Sequence, residues 1–140
     1  MTAQEPNRLR TRPRERFSGD ARSFDLLRVF EQLADEPHEG VSGHRQIALF
    51  KSGASTIIAF LFEEGGQLPE HNADGVATIH VLEGRLEVET PQERHAVGED
   101  GILMLRPGVP HSVQAQEATK MILTVHLRKP ESELEVLSGR

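Results

Sequence analysis

The first pattern in the chain is a three-residue apolar repeat formed by Phe24, Leu27, Phe30 and Leu33. Side chains three and four positions apart share one face of a helix, so the repeat predicts an amphipathic helix over residues 23–36. The helix is expected to end there because a proline follows. An apolar stripe of this kind indicates packing against a core or an interface rather than a binding site.

After residue 40 the pattern changes to short strand-like runs separated by glycine, proline, asparagine and aspartate. Runs of this length, bounded by turn residues, are typical of β-strands. Their number and spacing predict an all-β fold, a closed jelly-roll barrel over residues 40–128, which protects the strand edges of a small antiparallel domain. Eight strands are predicted, at residues 46–51, 54–63, 76–83, 85–90, 94–97, 102–105, 112–115 and 120–127.

Alternation within two of these strands predicts which side chains enter the barrel. Successive residues of a strand point to opposite faces, which places Ala77, Ile79 and Val81 on one face and His80 on the other. The odd-numbered residues from 121 to 127 are all apolar and share a face of the last strand. Both apolar sets are expected to face the interior, and His80 is expected to face solvent or a second subunit.

Charge is unevenly distributed along the 140 residues. The formal net charge of −6 gives no general attraction to phosphates or anionic lipids, so nucleic-acid and membrane binding are not expected. Residues 1–22 nevertheless hold six arginines against three acidic residues and are interpreted as a basic arm. Without tyrosine or tryptophan for base stacking, an extension that orders against a partner subunit is favoured over a nucleic-acid arm. Residues 129–140 form an acidic tail.

The residue types that are missing exclude several kinds of chemistry. The chain has no cysteine, so disulfides, thiolate nucleophiles and cysteine–zinc sites are excluded. No apolar run approaches the roughly 20 residues that cross a bilayer, and no signal-like stretch follows Met1. A cytoplasmic protein is therefore expected.

Two motifs, in order, carry a family resemblance. Gly65 is followed after five residues by His71, and Val81-Leu82-Glu83-Gly84 closes the first motif. The second motif contains Gly108 and His111 in the stretch Pro-Gly-Val-Pro-His. Over residues 45–127 the chain resembles the cupin superfamily of small β-barrels. The resemblance implies one jelly-roll barrel, and it implies a homodimer.

The resemblance also implies a metal site in which three imidazoles and a carboxylate hold the ion. Here His71 and His111 occupy two of those positions, while Ala73 and Ala77 occupy the other two. A catalytic site normally needs three protein ligands and an open position, so no cofactor is expected. The alternative is a divalent transition metal, iron, manganese, nickel or zinc, held by His71 and His111. Further donors considered are Asp74, Glu70, His44 and His126, although alternation argues against His126.

The small, apolar residues at the lost ligand positions suggest a pocket for an organic molecule. Its predicted lining is Ala73, Ala77, Ile79 and Val81, with His71 and His111 as polar anchors. The same pair can instead be a hydrogen-bonded part of the barrel. His95 and His38 are interpreted as surface residues.

Three functions remain open at this point. The first is a metal-poor barrel that binds a small organic molecule in a sensing or regulatory role. The second is a metal-dependent enzyme of the dioxygenase or isomerase type that uses His71 and His111. The third is a structural or partner-binding dimer. A sugar epimerase with a His–Tyr pair is disfavoured because the chain has no tyrosine, unless Glu63 or Glu70 supplies the acid.

Overall fold

The structure is a computed structural model that describes residues 20–37 and 40–128. Three sequence predictions lie outside these ranges: residues 1–19 of the basic arm, His38, and the acidic tail at 129–140. Within the described ranges the chain forms one α-helix and nine β-strands. The helix there is too short to cross a membrane.

The amphipathic repeat forms the helix α1, Leu26–Asp35. It begins three residues later than predicted because Asp25 is the N-cap, and the Asp25 side chain accepts a hydrogen bond from the backbone N–H of Leu27 at 3.2 Å. The helix ends where residue 36 turns to an extended conformation.

Arg45 secures the C-terminal end of α1. Helix ends leave carbonyl groups without intrahelical partners, and a cation there also complements the helix dipole. The Arg45 guanidinium Nη1 donates to the backbone oxygens of Leu33, Ala34 and Glu36, at 2.9, 3.3 and 3.1 Å. A side chain of the sheet therefore caps the C-terminal end of the helix.

The nine strands form two antiparallel sheets. Their bounds are β1 His44–Ser52, β2 Ser55–Phe62, β3 Gln67–His71, β4 Gly75–Glu83, β5 Arg85–Glu89, β6 Arg94–Gly98, β7 Ile102–Leu105, β8 His111–Ala115 and β9 Thr119–Leu127. One sheet has the order β1-β2-β9-β4-β7 and the other β3-β8-β5-β6. The all-β jelly-roll prediction is confirmed. The count of eight strands is wrong, because β3 also forms.

The barrel core lies between the inner faces of the two sheets. Ala77, Ile79, Val81 and Met121 are all buried there, as alternation predicts, and Leu123 and Val125 pack against them. The prediction is wrong for Leu127, which is exposed at the end of β9. The other sheet contributes residues from β5, β6 and β8. The remaining buried members of the cluster are Phe60, Phe62, Leu86, Val88, Val97, Leu105, Val113 and Ala115.

A second apolar cluster forms where α1 covers part of the outer face of the five-stranded sheet. Phe30 and Leu33 of the helix are buried against Ile47, Leu49 and Ala59 of β1 and β2. Phe30 and Leu33 of the repeat therefore pack as its spacing predicts, with Phe24 beside them, whereas Leu27 is exposed and lies outside this contact.

Candidate functional site

A β-bulge in β3 determines which of its side chains enter the barrel. Leu68 pairs with Val113 and His71 pairs with His111, so two residues of β3, at positions 69 and 70, oppose one residue of β8. Residue 69 is a proline, which cannot donate to the ladder and is tolerated at such irregularities. Regular alternation from Leu68 would have pointed position 70 inward. The bulge gives that orientation to His71 instead.

His71 and His111 are thereby brought into contact. Their ring centroids are 4.3 Å apart and the ring planes are inclined by 59°. His111 is only 4% exposed and lies on the inner face of β8, whereas His71 is exposed at the barrel mouth. The pair therefore has one buried ring and one ring that reaches solvent.

Both rings use Nδ1 in the same way. Nδ1 of His71 lies 2.8 Å from the carbonyl oxygen of Pro69, and Nδ1 of His111 lies 3.0 Å from that of Val109. A carbonyl oxygen only accepts hydrogen bonds, so each Nδ1 is the donor and carries the proton. In the neutral rings Nε2 is then an unprotonated acceptor. The site presents two adjacent imidazoles with free Nε2 lone pairs.

Burial favours the neutral form of His111. Desolvation lowers the pKa of His111 below its usual 6.5, and the nearby His71 lowers it further. The hydrogen bond to the carbonyl of Val109 opposes this shift without cancelling it. At neutral pH the His111 ring is therefore an acceptor at Nε2, and it also can take up a proton as a base.

A backbone hydrogen bond joins the two loops around the pair. Gly108, with φ at +81°, donates its N–H to the carbonyl oxygen of Ala73 at 2.8 Å. That left-handed conformation suits glycine and lets the loop before β8 lie against the loop between β3 and β4. Ala73 is half-buried at this junction.

Two of the further metal ligands that the sequence suggested, Asp74 and His126, bind other residues instead. Asp74 forms an ion pair with Arg128, whose Nε donates to Oδ1 at 2.8 Å. The backbone N–H of Arg128 also bonds to the carbonyl of Asp74 at 2.9 Å. His126 hydrogen-bonds through Nδ1 to Ser55 Oγ at 3.0 Å, on the outer face. The prediction from alternation that His126 points away from the barrel interior is therefore confirmed.

His44 is also satisfied within the barrel wall. Its Nδ1 donates to the carbonyl oxygen of Gln67 and its Nε2 lies against the side-chain amide of Gln46, both at 3.2 Å. The ring lies 5.6 Å from each of the Phe60 and Phe62 rings. In residues 20–37 and 40–128 no three His, Cys, Asp or Glu side chains converge as a metal-binding group.

Glu70 lines a groove that the sequence did not suggest. Position 112 lies between the inward residues of β8, so its side chain faces outward together with that of Glu89, its register partner on β5. The groove has a volume of about 380 Å³. The signal that could have indicated it is Pro69, because a proline inside a strand marks a bulge, and the bulge here gives the inward position to His71 instead of Glu70. The groove is lined by Glu70, Glu89, Thr90, Pro91, Pro110 and Ser112.

The predicted lining of the pocket is distributed over both sheets. Ala77, Ile79 and Val81 lie on the inner face of β4 and are 3%, 1% and 0% exposed. They are part of the packed core, on the sheet opposite β3 and β8, which carry His71 and His111.

Two other histidines lie away from the pair. His80 is half-buried on the outer face of β4, where its register partners are Ile102 and Ile122. His95 is on β6, with Nε2 3.5 Å from a carboxylate oxygen of Glu93.

Known proteins share this fold. The sequence model of the family described as "Cupin domain" matches residues 59–126. A conserved protein of unknown function from Streptococcus pyogenes has 24% identity and a TM-score of 0.63, with 81% of this chain and 93% of that chain covered. A protein of unknown function from Rhizobium leguminosarum has 21% identity and a TM-score of 0.64, with 79% and 100% covered.

A cupin superfamily protein from Desulfitobacterium hafniense has 19% identity and a TM-score of 0.60, with 69% of this chain and 88% of that chain covered. No curated protein matches the chain. The matching family, the two antiparallel sheets and these neighbours agree with the motifs around His71 and His111. Over residues 59–126 the chain matches the cupin domain, and the described structure has the cupin fold.

Proposed function

We propose that this cupin binds a small organic molecule at His71 and His111, in a sensing or regulatory role. The supporting observation is the pair of free Nε2 acceptors, which results from both Nδ1 atoms donating to backbone carbonyls. Two adjacent neutral acceptors complement a ligand that carries two hydrogen-bond donors, such as a diol or an amino alcohol. A carboxylate at the same position would meet two lone pairs and is disfavoured.

The small residues nearby are consistent with the same proposal. Ala73 and Ala77 stand where the cupin motif has charged or polar ligands, so this end of the barrel carries less volume and less charge. Ligand pockets combine an apolar lining with a few oriented polar groups. We therefore expect the polar end of the ligand at the histidines and an apolar part directed toward Ala73, which is half-buried.

Native mass spectrometry of tag-free protein tests the proposal directly. We expect a retained small molecule that is lost from the His111→Ala variant. The matched control is His95→Ala, which removes an imidazole from β6 and should leave the retained molecule unchanged. Loss of the molecule from both variants, or from neither, would contradict binding at the pair.

A metal-dependent cupin enzyme of the dioxygenase or isomerase type is the second candidate, favoured by the same tautomers. Metal-ligating histidines usually donate the other ring N–H to a carbonyl or carboxylate, as His71 and His111 do. Such an ion, iron, manganese, nickel or zinc, would be held by these two rings and would act as a Lewis acid on a bound oxygen. The donor set among the described residues falls short of the three protein ligands of catalytic sites.

Elemental analysis of the same tag-free protein separates the two candidates. Stoichiometric transition metal that disappears in His71→Ala would replace the first proposal with the second. We further propose that the chain acts as a homodimer, as the cupin resemblance implies. We also propose that it is cytoplasmic, since its lack of cysteine suits a reducing compartment. If the protein retains neither a ligand nor a metal, a structural or partner-binding dimer remains.

A further inference from the structure

Two connections cross between the sheets at the end of the barrel that carries His71 and His111. The connection from β3 to β4, residues 72–74, leaves the four-stranded sheet just after His71 and enters the five-stranded sheet. The connection from β7 to β8, residues 106–110, crosses in the other direction and ends just before His111. We call residues 72–74 the first mouth loop and residues 106–110 the second mouth loop. Each histidine of the pair therefore adjoins one mouth loop.

The second mouth loop is anchored in the barrel interior. The Val109 side chain packs against the core cluster between the sheets. The carbonyl oxygen of Val109 accepts the hydrogen bond from Nδ1 of His111 at 3.0 Å, and its N–H donates to the carbonyl oxygen of Arg106 at 3.3 Å. Moving this loop would withdraw an apolar side chain from the core, which is costly. The second mouth loop is therefore the fixed side of the mouth.

The first mouth loop is held by polar contacts. Within the described part of the chain, neither apolar cluster includes Asn72, Ala73 or Asp74. On one side, the carbonyl oxygen of Ala73 accepts the hydrogen bond from the N–H of Gly108. On the other side, Asp74 binds Arg128, the residue that follows β9. Moving this loop would break hydrogen bonds and an ion pair but would withdraw no core side chain.

Arg128 makes the contact of the first mouth loop that salt can weaken. Its Nε donates to Oδ1 of Asp74 at 2.8 Å, and its Nη2 donates to the same oxygen. The side chains of Arg128 and Asp74 are 56% and 69% exposed, so ions in solution screen their attraction. The backbone bond from the N–H of Arg128 to the carbonyl oxygen of Asp74 does not depend on the arginine side chain.

We propose that the first mouth loop is a movable cover over the histidine pair, and that the ion pair between Asp74 and Arg128 is its latch. The Nε2 of His111 is a free acceptor, yet His111 is only 4% exposed, so a ligand reaches this atom only after the mouth opens. The first mouth loop is the side that opens without disturbing the core, and the ligand therefore enters past Ala73. Arg128 is a positioning residue that acts through Asp74. The inference rests on the proposed ligand site, but its test needs no ligand, so either can fail alone.

Modification of the full chain by diethyl pyrocarbonate measures the opening of the mouth. The reagent acylates an unprotonated imidazole nitrogen, so at neutral pH and under single-hit conditions it reports access to Nε2 of each ring. The initial rates at His71, His111 and His95 are followed by peptide mass spectrometry, with His95 as the internal reference. In wild type the exposed His71 is expected to react faster than the buried His111.

Removal of the Arg128 side-chain donors tests the latch. Arg128→Met keeps the backbone bond to Asp74 and should raise the His111 rate about two- to fivefold, which corresponds to the strength of an exposed ion pair. The urea midpoint should stay close to that of wild type. The matched control is Arg28→Met, which removes another exposed arginine that pairs with an aspartate, Asp25, at 3.5 Å, and it should leave the His111 rate unchanged.

Salt and charge exchange distinguish a latch from a general loss of stability. High salt should raise the His111 rate relative to His95 in wild type and have no such effect in Arg128→Met. Asp74→Arg should raise the rate, and the double variant Asp74→Arg, Arg128→Asp should restore the slow rate of wild type. An unchanged His111 rate in Arg128→Met, a double variant that stays fast, or an equal rise at His95 overturns the proposal. If His111→Ala still abolishes ligand retention in that case, the ligand site stands without the latch.

Discussion

The alignment of Ala73 and Ala77 with lost ligand positions can be tested by restoring the ligands. We expect the double variant Ala73→His, Ala77→Glu to bind a divalent transition metal together with His71 and His111. Position 77 is 3% exposed and faces the barrel interior, with Leu105 and Val125 as its register partners. The double variant should therefore bind metal, and metal binding should also make it more stable against unfolding.

The expected loss of stability in the double variant follows from the burial of position 77. A carboxylate there without a partner is an unpaired buried charge, which costs about 3–5 kcal/mol. Against a total stability of about 5–15 kcal/mol, the metal-free double variant should remain folded with a clearly lower urea midpoint. Metal at a hundredfold excess over its dissociation constant returns about 2.7 kcal/mol, and at a thousandfold excess about 4.1 kcal/mol.

Urea denaturation with chelator and with zinc or nickel measures both effects. The control Ala73→His, Ala77→Gln keeps the size of the side chain but lacks the carboxylate, so it should lose less stability without metal and recover less with it. The alignment is refuted if metal does not stabilise the double variant. It is also refuted if the same stabilisation persists after His111→Ala.

Three further predictions concern single residues. Burial lowers the pKa of His111 in the folded chain. As the pH falls, His111 is therefore protonated in the unfolded chain before it is protonated in the folded chain. The His111 contribution to stability is therefore present above pH 6.5 and lost as the pH falls below that value, and His111→Gln should remove this step in pH-dependent urea denaturation. Arg45→Met removes the donors to the end of α1 and should cost about 2 kcal/mol in the same assay, with Arg28→Met, on the exposed helix surface, nearly neutral. Gly75→Ala places a methyl group against backbone atoms of β9 and should cost at least about 1–3 kcal/mol, whereas at Gly98 the added methyl meets only a flexible arginine side chain at 3.6 Å and Gly98→Ala should show little change by thermal unfolding.

The local pattern of apolar and polar residues was sufficient to predict most of the fold. The strands that alternate clearly, such as β4 and β9, occur where their apolar residues predict them, because burying one face sets both the existence and the orientation of a strand. Strand β3 has one apolar residue besides its proline, in Gln67–His71. These residues form a strand because β8 pairs with them. The sequence of the five residues alone does not indicate that pairing.

The sequence pointed to the two histidines that lie in contact, but it did not predict their geometry. Motif spacing selects His71 and His111 from seven histidines. Their contact depends on the bulged register with β8, and their tautomers depend on the carbonyls of Pro69 and Val109. Asp74 was a reasonable candidate ligand by proximity in sequence, yet Arg128, 54 residues away, engages it. Interactions over such separations form only in the folded chain.

The position of β9 has a consequence for biosynthesis. The strand emerges last among the nine, yet it lies in the centre of its sheet and pairs with both β2 and β4. During translation these two strands expose unpaired edges until Thr119–Leu127 leaves the ribosome, and unpaired edges are where nascent chains aggregate. Ribosome stalling or truncation before residue 119 would therefore release a chain with two open edges and no barrel.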